Sequence, residues 1–219
     1  MAQAAAYNLP FIMNETNSIS SGGVSGVSNV FCAALWAADY DMVALNAGVQ
    51  GLYFHGVANF ANGNSHGEVQ YYTPINSDGS PAPEYYGMLF FDQMTKDSGA
   101  TVKVGRSSTA TYVDAYAVIS STGLRVALFN RNATAQTINL NTTNQYGQAS
   151  YIALTAPSIT SATGITLGGS ATAADGSWTP SSAATTPVAL TGGRSTTLTI
   201  PAYTGLIVSY SPSTAPATN

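Results

Sequence analysis

Charge is what this chain has least of. Lys, Arg, Asp and Glu together make up 7% of its 219 residues, against about 25% in an average soluble domain. No Lys or Arg occurs before Lys96, and the net charge is −4. Without a basic footprint a protein cannot neutralise a run of phosphates, which argues against nucleic acid as a partner. Cysteine is nearly absent too. Cys32 stands alone, so no internal disulfide and no thiolate metal cluster can form; its apolar helical surroundings make it a small core hydrophobe. The two histidines, His55 and His66, lack ligand spacing, so we expect neither a metal site nor a cofactor. No segment reaches the ~18 uninterrupted apolar residues of a membrane span, and Met1 to Ala6 has neither the basic start nor the apolar core of a signal peptide.

What is present is a 45% apolar share, enough for a folded core in one large domain or two small ones. Ser, Thr, Asn and Gly supply the polar surface, a composition that suits a secreted protein. Asn14, Asn132 and Asn141 each open an Asn-x-Ser/Thr triplet; the first overlaps a strand end, while the other two are candidate glycosylation sites.

Glutamate is scarce, with only Glu15, Glu68 and Glu84. The run Leu9 to Met13 reads as a buried strand ending at Asn14-Glu15, followed by a Ser/Gly-rich loop over 16–26. A carboxylate at the carboxyl end of such a strand, ahead of a helix, sits where barrel enzymes keep their chemistry. The plain alternative is a solvated loop carboxylate. Ser25 or Ser28 is placed to cap a helix, in which Val27, Phe31, Leu35 and Met42 recur at helical spacing. Gly48 ends it, Gly51 to Gly56 forms a second strand, and a helix starts near Glu84. Alternating strands and helices imply parallel β/α units, and two units cannot close a barrel. From Thr101 the texture changes. Leu124, Val126 and Leu128 alternate with Arg125, Ala127 and Phe129. Tyr151 to Leu154, Ser195 to Ile200 and Gly205 to Tyr210 are further short strand candidates, punctuated by Gly, Asn and Pro. That predicts an antiparallel β-sandwich. The expected organisation is an α/β segment over 1–95, an all-β domain over 96–212, and a disordered tail over 213–219.

The ordered motifs carry a resemblance. Asn14-Glu15-Thr16-Asn17-Ser18 with Gly22-Gly23, Gly51 to Gly56, Tyr71 to Ile75 and Pro83 to Leu89 together resemble glycoside hydrolase family 79, the β-glucuronidase and heparanase family. The resemblance spans about residues 9–95 and implies the last two β/α units of a (β/α)8 barrel followed by a β-sandwich. It implies Glu15 as the nucleophile of a retaining β-glycosidase acting on glucuronides. The family's acid/base glutamate lies upstream, in a barrel segment this sequence does not contain, so the chain alone should be inactive. Glu84, at a helix start, reads as a dipole-favoured anion, and Glu68 as a solvated loop residue. Candidate substrate contacts are Asn14, the amides of Gly22 and Gly23, His55, Tyr71 and Tyr72. His55 reads equally as a packed histidine, and Gly22-Gly23 as a flexible loop. Expected partners are a carbohydrate substrate and the missing N-terminal barrel segment, and the whole protein is expected outside the cell. The competing functional readings are a non-catalytic β-sandwich carbohydrate-binding or surface module, and a truncated product without activity.

Overall fold

A segment patterned as strand–helix–strand–helix and a segment patterned as short alternating strands call for different layer architectures. The structure, a computed structural model, describes residues 2–56, 70–106 and 112–213, and the chain forms two compact units. The first gathers Met1–Phe91 with two later stretches, Ala156–Thr166 and Ser170–Thr179. The second holds Asp92–Thr155, Leu167–Gly169 and Pro180–Asn219.

The first unit contains helix α1 (Ala2–Ala6), strand β1 (Ile12–Thr16), helix α2 (Phe31–Asn46), strand β2 (Gly51–Phe54) and, up to Phe91, helix α3 (Pro83–Thr95). β1 and β2 pair in parallel, with Ile12 opposite Gly51 and Met13 opposite Leu52; the intervening α2 is the crossover such pairing demands. β1 starts three residues later than the apolar run predicts, because Pro10 has no N–H for a ladder and Leu9 is left exposed. α2 also begins later than expected. Val30 is its N-cap and offers no side-chain bond. The free N–H groups of Phe31 and Cys32 instead donate to the carbonyls of Ser161 and Ile159, at 2.8 and 2.9 Å, which satisfies two of the orphan donors at the helix start. Ser28 is buried and serves the preceding loop, its Oγ accepting from the Val24 N–H and the Ser18 hydroxyl.

The buried face of α2 is alanine-rich: Ala33, Ala34, Ala37 and Ala38, with Phe31 and Met42 at either end. Val27, expected on this face, precedes the helix and is exposed. Small residues allow a close approach by α3. A Cβ on Gly87 would lie 2.5 Å from the Ala34 carbonyl oxygen and 2.6 Å from Ala37 Cβ, so glycine is the residue that lets the two helices touch. Gly48, at φ +84°, turns the chain out of α2 as expected, its N–H donating to Leu45.

The second unit is antiparallel. Strands β3 (Ala100–Val102), β4 (Val113–Ser120), β5 (Gly123–Asn130), β7 (Gln148–Thr155), β8 (Thr166–Leu167), β9 (Thr186–Val188) and β11 (Thr204–Ser211) form one sheet. Its order is β3-β4-β5-β11-β7-β8, with β9 also on β7. β6 (Gln136–Asn141) and β10 (Ser195–Ile200) form a second, smaller sheet. Leu198 and Ile200 of the small sheet share a core with Val126, Leu128, Leu206 and Val208 of the large one, so apolar side chains from both sheets close on each other. Buried Asn130 satisfies four backbone groups: its Nδ2 donates to the carbonyls of Thr134, Ile200 and Pro201, and its Oδ1 accepts from Asn132. Arg125, also buried, pairs with Asp97 at 2.6 Å. Of the expected disordered tail, 214–219 lie outside the described residues.

Candidate active site

Glu15 is the penultimate residue of β1, and the ladder breaks at it. Met13 faces Leu52 and Thr16 faces Phe54, so Asn14 and Glu15 together oppose the single residue Tyr53. A bulge of this kind places an extra residue in one strand and re-aims its side chains; Asn14 and Glu15 are both exposed. The strand is held firmly on the far side of the bulge. Thr16 Oγ1 shares a 2.8 Å hydrogen bond with the Tyr40 hydroxyl of α2, and the Thr16 carbonyl accepts from the His55 N–H at 2.7 Å. Tyr40 itself stacks on Trp36, with ring centroids 5.0 Å apart.

The loop after β1 is organised by Asn17, a residue that sequence reasoning did not single out as functional. Its Nδ2 lies 2.7 Å from the His55 carbonyl, 2.8 Å from the Tyr72 carbonyl and 3.3 Å from Glu84 Oε2. Its Oδ1 accepts from the Ser18 N–H at 2.6 Å. One amide therefore ties the end of β1 to the end of β2, to the 70–74 loop and to the start of α3. The available signal was position: a polar side chain immediately past a strand end often closes a turn on nearby backbone.

Gly22 and Gly23 lie at φ +87° and +81°, a conformation that favours glycine. A Cβ on Gly23 would come within 2.8 Å of Ser28 Cβ and 3.1 Å of the Tyr72 backbone nitrogen. The Gly22 carbonyl accepts from the Tyr71 N–H at 2.6 Å. Tyr72 is buried and shares a 3.0 Å hydrogen bond between its hydroxyl and His55 Nδ1, while His55 itself is exposed. Thus His55, Tyr72, Gly22, Gly23 and the Tyr71 backbone form one linked rim, joined to the strand of Glu15 through Thr16 and Asn17. The Tyr71 ring, half-buried, faces a different cavity.

Glu84 sits in the first turn of α3 as expected, but not as a dipole-stabilised anion. It is 1% exposed, and burial pushes its carboxyl up to about 8 against the lowering effect of the Asn17 hydrogen bond. Asp41 of α2, also buried, adds repulsion and is itself pushed up by burial to about 7. The desolvation cost of a buried carboxylate outweighs what a helix N-terminus returns. Glu68 and His66 lie outside the described residues. Among the described residues no cluster of His, Cys, Asp and Glu could hold a metal ion, and no helix is long and apolar enough to cross a membrane.

Comparison with known proteins adds a second line. No protein-family model matches the chain. A β-glucuronidase of Aspergillus niger is 28% identical over 127 residues, 56% of this chain and 22% of that protein. One of Neurospora crassa is 30% identical over 137 residues, 55% of this chain and 23% of that protein. The chain thus spans less than a quarter of the length of the curated relatives it matches. Among solved structures, a family 30 subfamily 8 xylanase from Clostridium acetobutylicum matches 96% of this chain and 45% of its own, with a TM-score of 0.65 at 11% identity. A family 30 endoxylanase from Clostridium papyrosolvens gives 0.60 at 12% identity, covering 95% and 44%. At such identities the structural matches speak for fold alone. By sequence the chain is related to the β-glucuronidases, and by fold it is similar to part of glycoside hydrolases from other families.

Proposed function

We propose that Glu15 is the nucleophile of a retaining β-glycosidase that cleaves glucuronides. The observation that carries this reading is the bulge: an exposed carboxylate, re-aimed at the carboxyl end of a parallel strand and braced by Tyr40 and Asn17. In barrel enzymes catalytic groups come from the carboxyl ends of strands. β1 and β2 are then the last two strands of a (β/α)8 barrel whose remaining strands come from an upstream segment. The relation to β-glucuronidases of more than four times the matched length supports that division.

A retaining mechanism needs a second carboxyl group ~5–5.5 Å from the nucleophile to protonate the leaving oxygen. Glu84 is neutral at pH 7 but sealed from solvent, so it cannot reach a leaving group. The upstream segment supplies the acid. The N–H groups of Gly22 and Gly23 are the candidate donors to the sugar's own carboxylate. His55, oriented by Tyr72, and Asn14 face the sugar hydroxyls. We place the full-length protein outside the cell on its low charge, its Ser/Thr/Asn-rich surface and its candidate glycosylation triplets at Asn132 and Asn141.

The test is reconstitution. An aryl glucuronide should show background turnover with this chain alone, since losing general acid assistance costs about 10²–10⁴-fold. Adding the upstream barrel segment of the Aspergillus niger relative should restore hydrolysis, and Glu15→Gln should abolish it. Turnover by the isolated chain would mean that it holds a second acid after all. Activity that survives Glu15→Gln contradicts the assignment, and no hydrolysis after reconstitution favours a non-catalytic carbohydrate-binding module.

A further inference from the structure

The first unit holds a cleft of about 460 Å³ that the proposed chemistry does not use. Neither Glu15, Gly22, Gly23, His55 nor Tyr72 lines it. Its walls come from three places in the sequence: Asn29 ahead of α2, the loop from Tyr71 into α3, and the returning segment at Thr163 to Ile165. That segment is fixed at two points. Its Ile159 and Ser161 carbonyls accept from the first N–H groups of α2, and farther on the Thr172 N–H and hydroxyl both donate to the Tyr86 hydroxyl, at 3.1 and 3.0 Å. Ile165 is buried, so the wall is rooted in the core of the unit. A cleft with walls held in place before a ligand arrives loses little entropy on binding.

Its chemistry is specific. No charged side chain lines it among the described residues. Tyr71 is half-buried, and its backbone N–H is held by the Gly22 carbonyl. Around it stand short neutral polar groups with capacity left. Asn76 uses its Nδ2 on Ser80 and Pro81 and Asn29 its Oδ1 on the Gly26 N–H. The Asn76 Oδ1 and the Asn29 Nδ2 have no hydrogen bond among the described residues, and both side chains belong to the cleft's polar lining. A size within ligand-pocket range, an aromatic face and neutral donors and acceptors match a sugar ring, whose C–H face stacks and whose hydroxyls need bonds from both sides. An acidic sugar would find no cation here. We infer that this cleft is a second carbohydrate site, which binds an uncharged sugar unit on the Tyr71 ring independently of Glu15.

The test is calorimetric or NMR titration of the whole chain, carrying Glu15→Gln, with cellotriose and xylotriose as neutral probes and glucuronic acid as the charged one. Saturable binding of a neutral trisaccharide is expected, weakened about tenfold by Tyr71→Ala, the fold-change a single aromatic stacking contact is worth. Tyr71→Phe should retain it. Thr163→Trp, which fills the cleft from the opposite wall, should abolish it whether or not Tyr71→Ala folds normally. The inference is overturned if no neutral trisaccharide binds, if Thr163→Trp binds as well as the parent, or if glucuronic acid is preferred. Because the titration uses the Glu15→Gln background, none of these outcomes depends on the catalytic assignment.

Discussion

In the second unit β5 is buried from Leu124 to Asn130, flanked on both edges by β4 and β11, whereas neither β1 nor β2 of the first unit contains a single buried residue. The antiparallel unit has an interior strand and therefore a sheet core. Among the described residues the α/β unit has only edge strands, with Ile12 and Tyr53 exposed, and its buried apolar residues lie on α2, α3 and the loops around them. Unpaired strand edges are open to further pairing. The unit that is least complete as a sheet is also the one that carries Glu15, Asn17, His55 and the paired glycines. This asymmetry is what the proposed function requires of the α/β unit.

Substitutions can break that comparison. The largest effect is expected from Gly87→Val, whose side chain would collide with the Ala34 backbone and Ala37. It should cost the first unit about 3 kcal/mol, read as early loss of its helical signal in thermal melts, while the antiparallel unit retains its β signature. Asn130→Leu attacks the other unit and leaves three carbonyls without their donor. About 2 kcal/mol of destabilisation is expected there, with the helical signal unmoved at low temperature.

A pH series sharpens the comparison further. Glu84 and Asp41 carry folded values near 8 and 7, above their ordinary 4.5 and 3.8. The folded first unit therefore binds more protons than the unfolded chain across that window. Its stability is greatest below about pH 4 with respect to these groups, falls as pH rises, and levels off above about pH 8. Melting midpoints of the first unit should drop over this range, and Glu84→Gln should flatten the slope. A midpoint that rises with pH would refute the reading that burial raises both carboxyls. The smallest effect is expected from Tyr40→Phe, which removes one partly buried hydroxyl from Thr16, about 1 kcal/mol. Its stronger readout is slower turnover of the reconstituted enzyme, because the strand behind the bulge loses its brace.

Much of this architecture is legible from residue pattern. The parallel pairing follows from two apolar runs separated by a helix, and Gly48 marks the end of α2 because only a residue at ease at positive φ closes a helix so tightly. β5 was readable from the alternation of Leu124, Val126 and Leu128, and β10 and β11 as short runs punctuated by Gly, Asn and Pro. Other features were not, for physical reasons. β6 is partly exposed throughout and has no apolar run to announce it. The start of α2 is set by carbonyls at Ile159 and Ser161, more than a hundred residues away, so no local cap marks it. In the site, the carboxylate stands out because glutamate is rare here. The bulge, the reach of Asn17 and the neutral state of Glu84 depend on register and burial, which no spacing rule encodes. The cleft beside Tyr71 was hidden for the same reason, since one of its walls returns from the β-rich half of the sequence.

The most direct measurement is covalent. The chain combined with the upstream barrel segment of a fungal relative is treated with a 2-deoxy-2-fluoro-glucuronide carrying a good leaving group, and the labelled peptide is identified by mass spectrometry. A glucuronyl ester on Glu15, absent in Glu15→Gln, is the predicted result. An adduct on any other carboxylate, or steady hydrolysis with no adduct at all, would contradict the account.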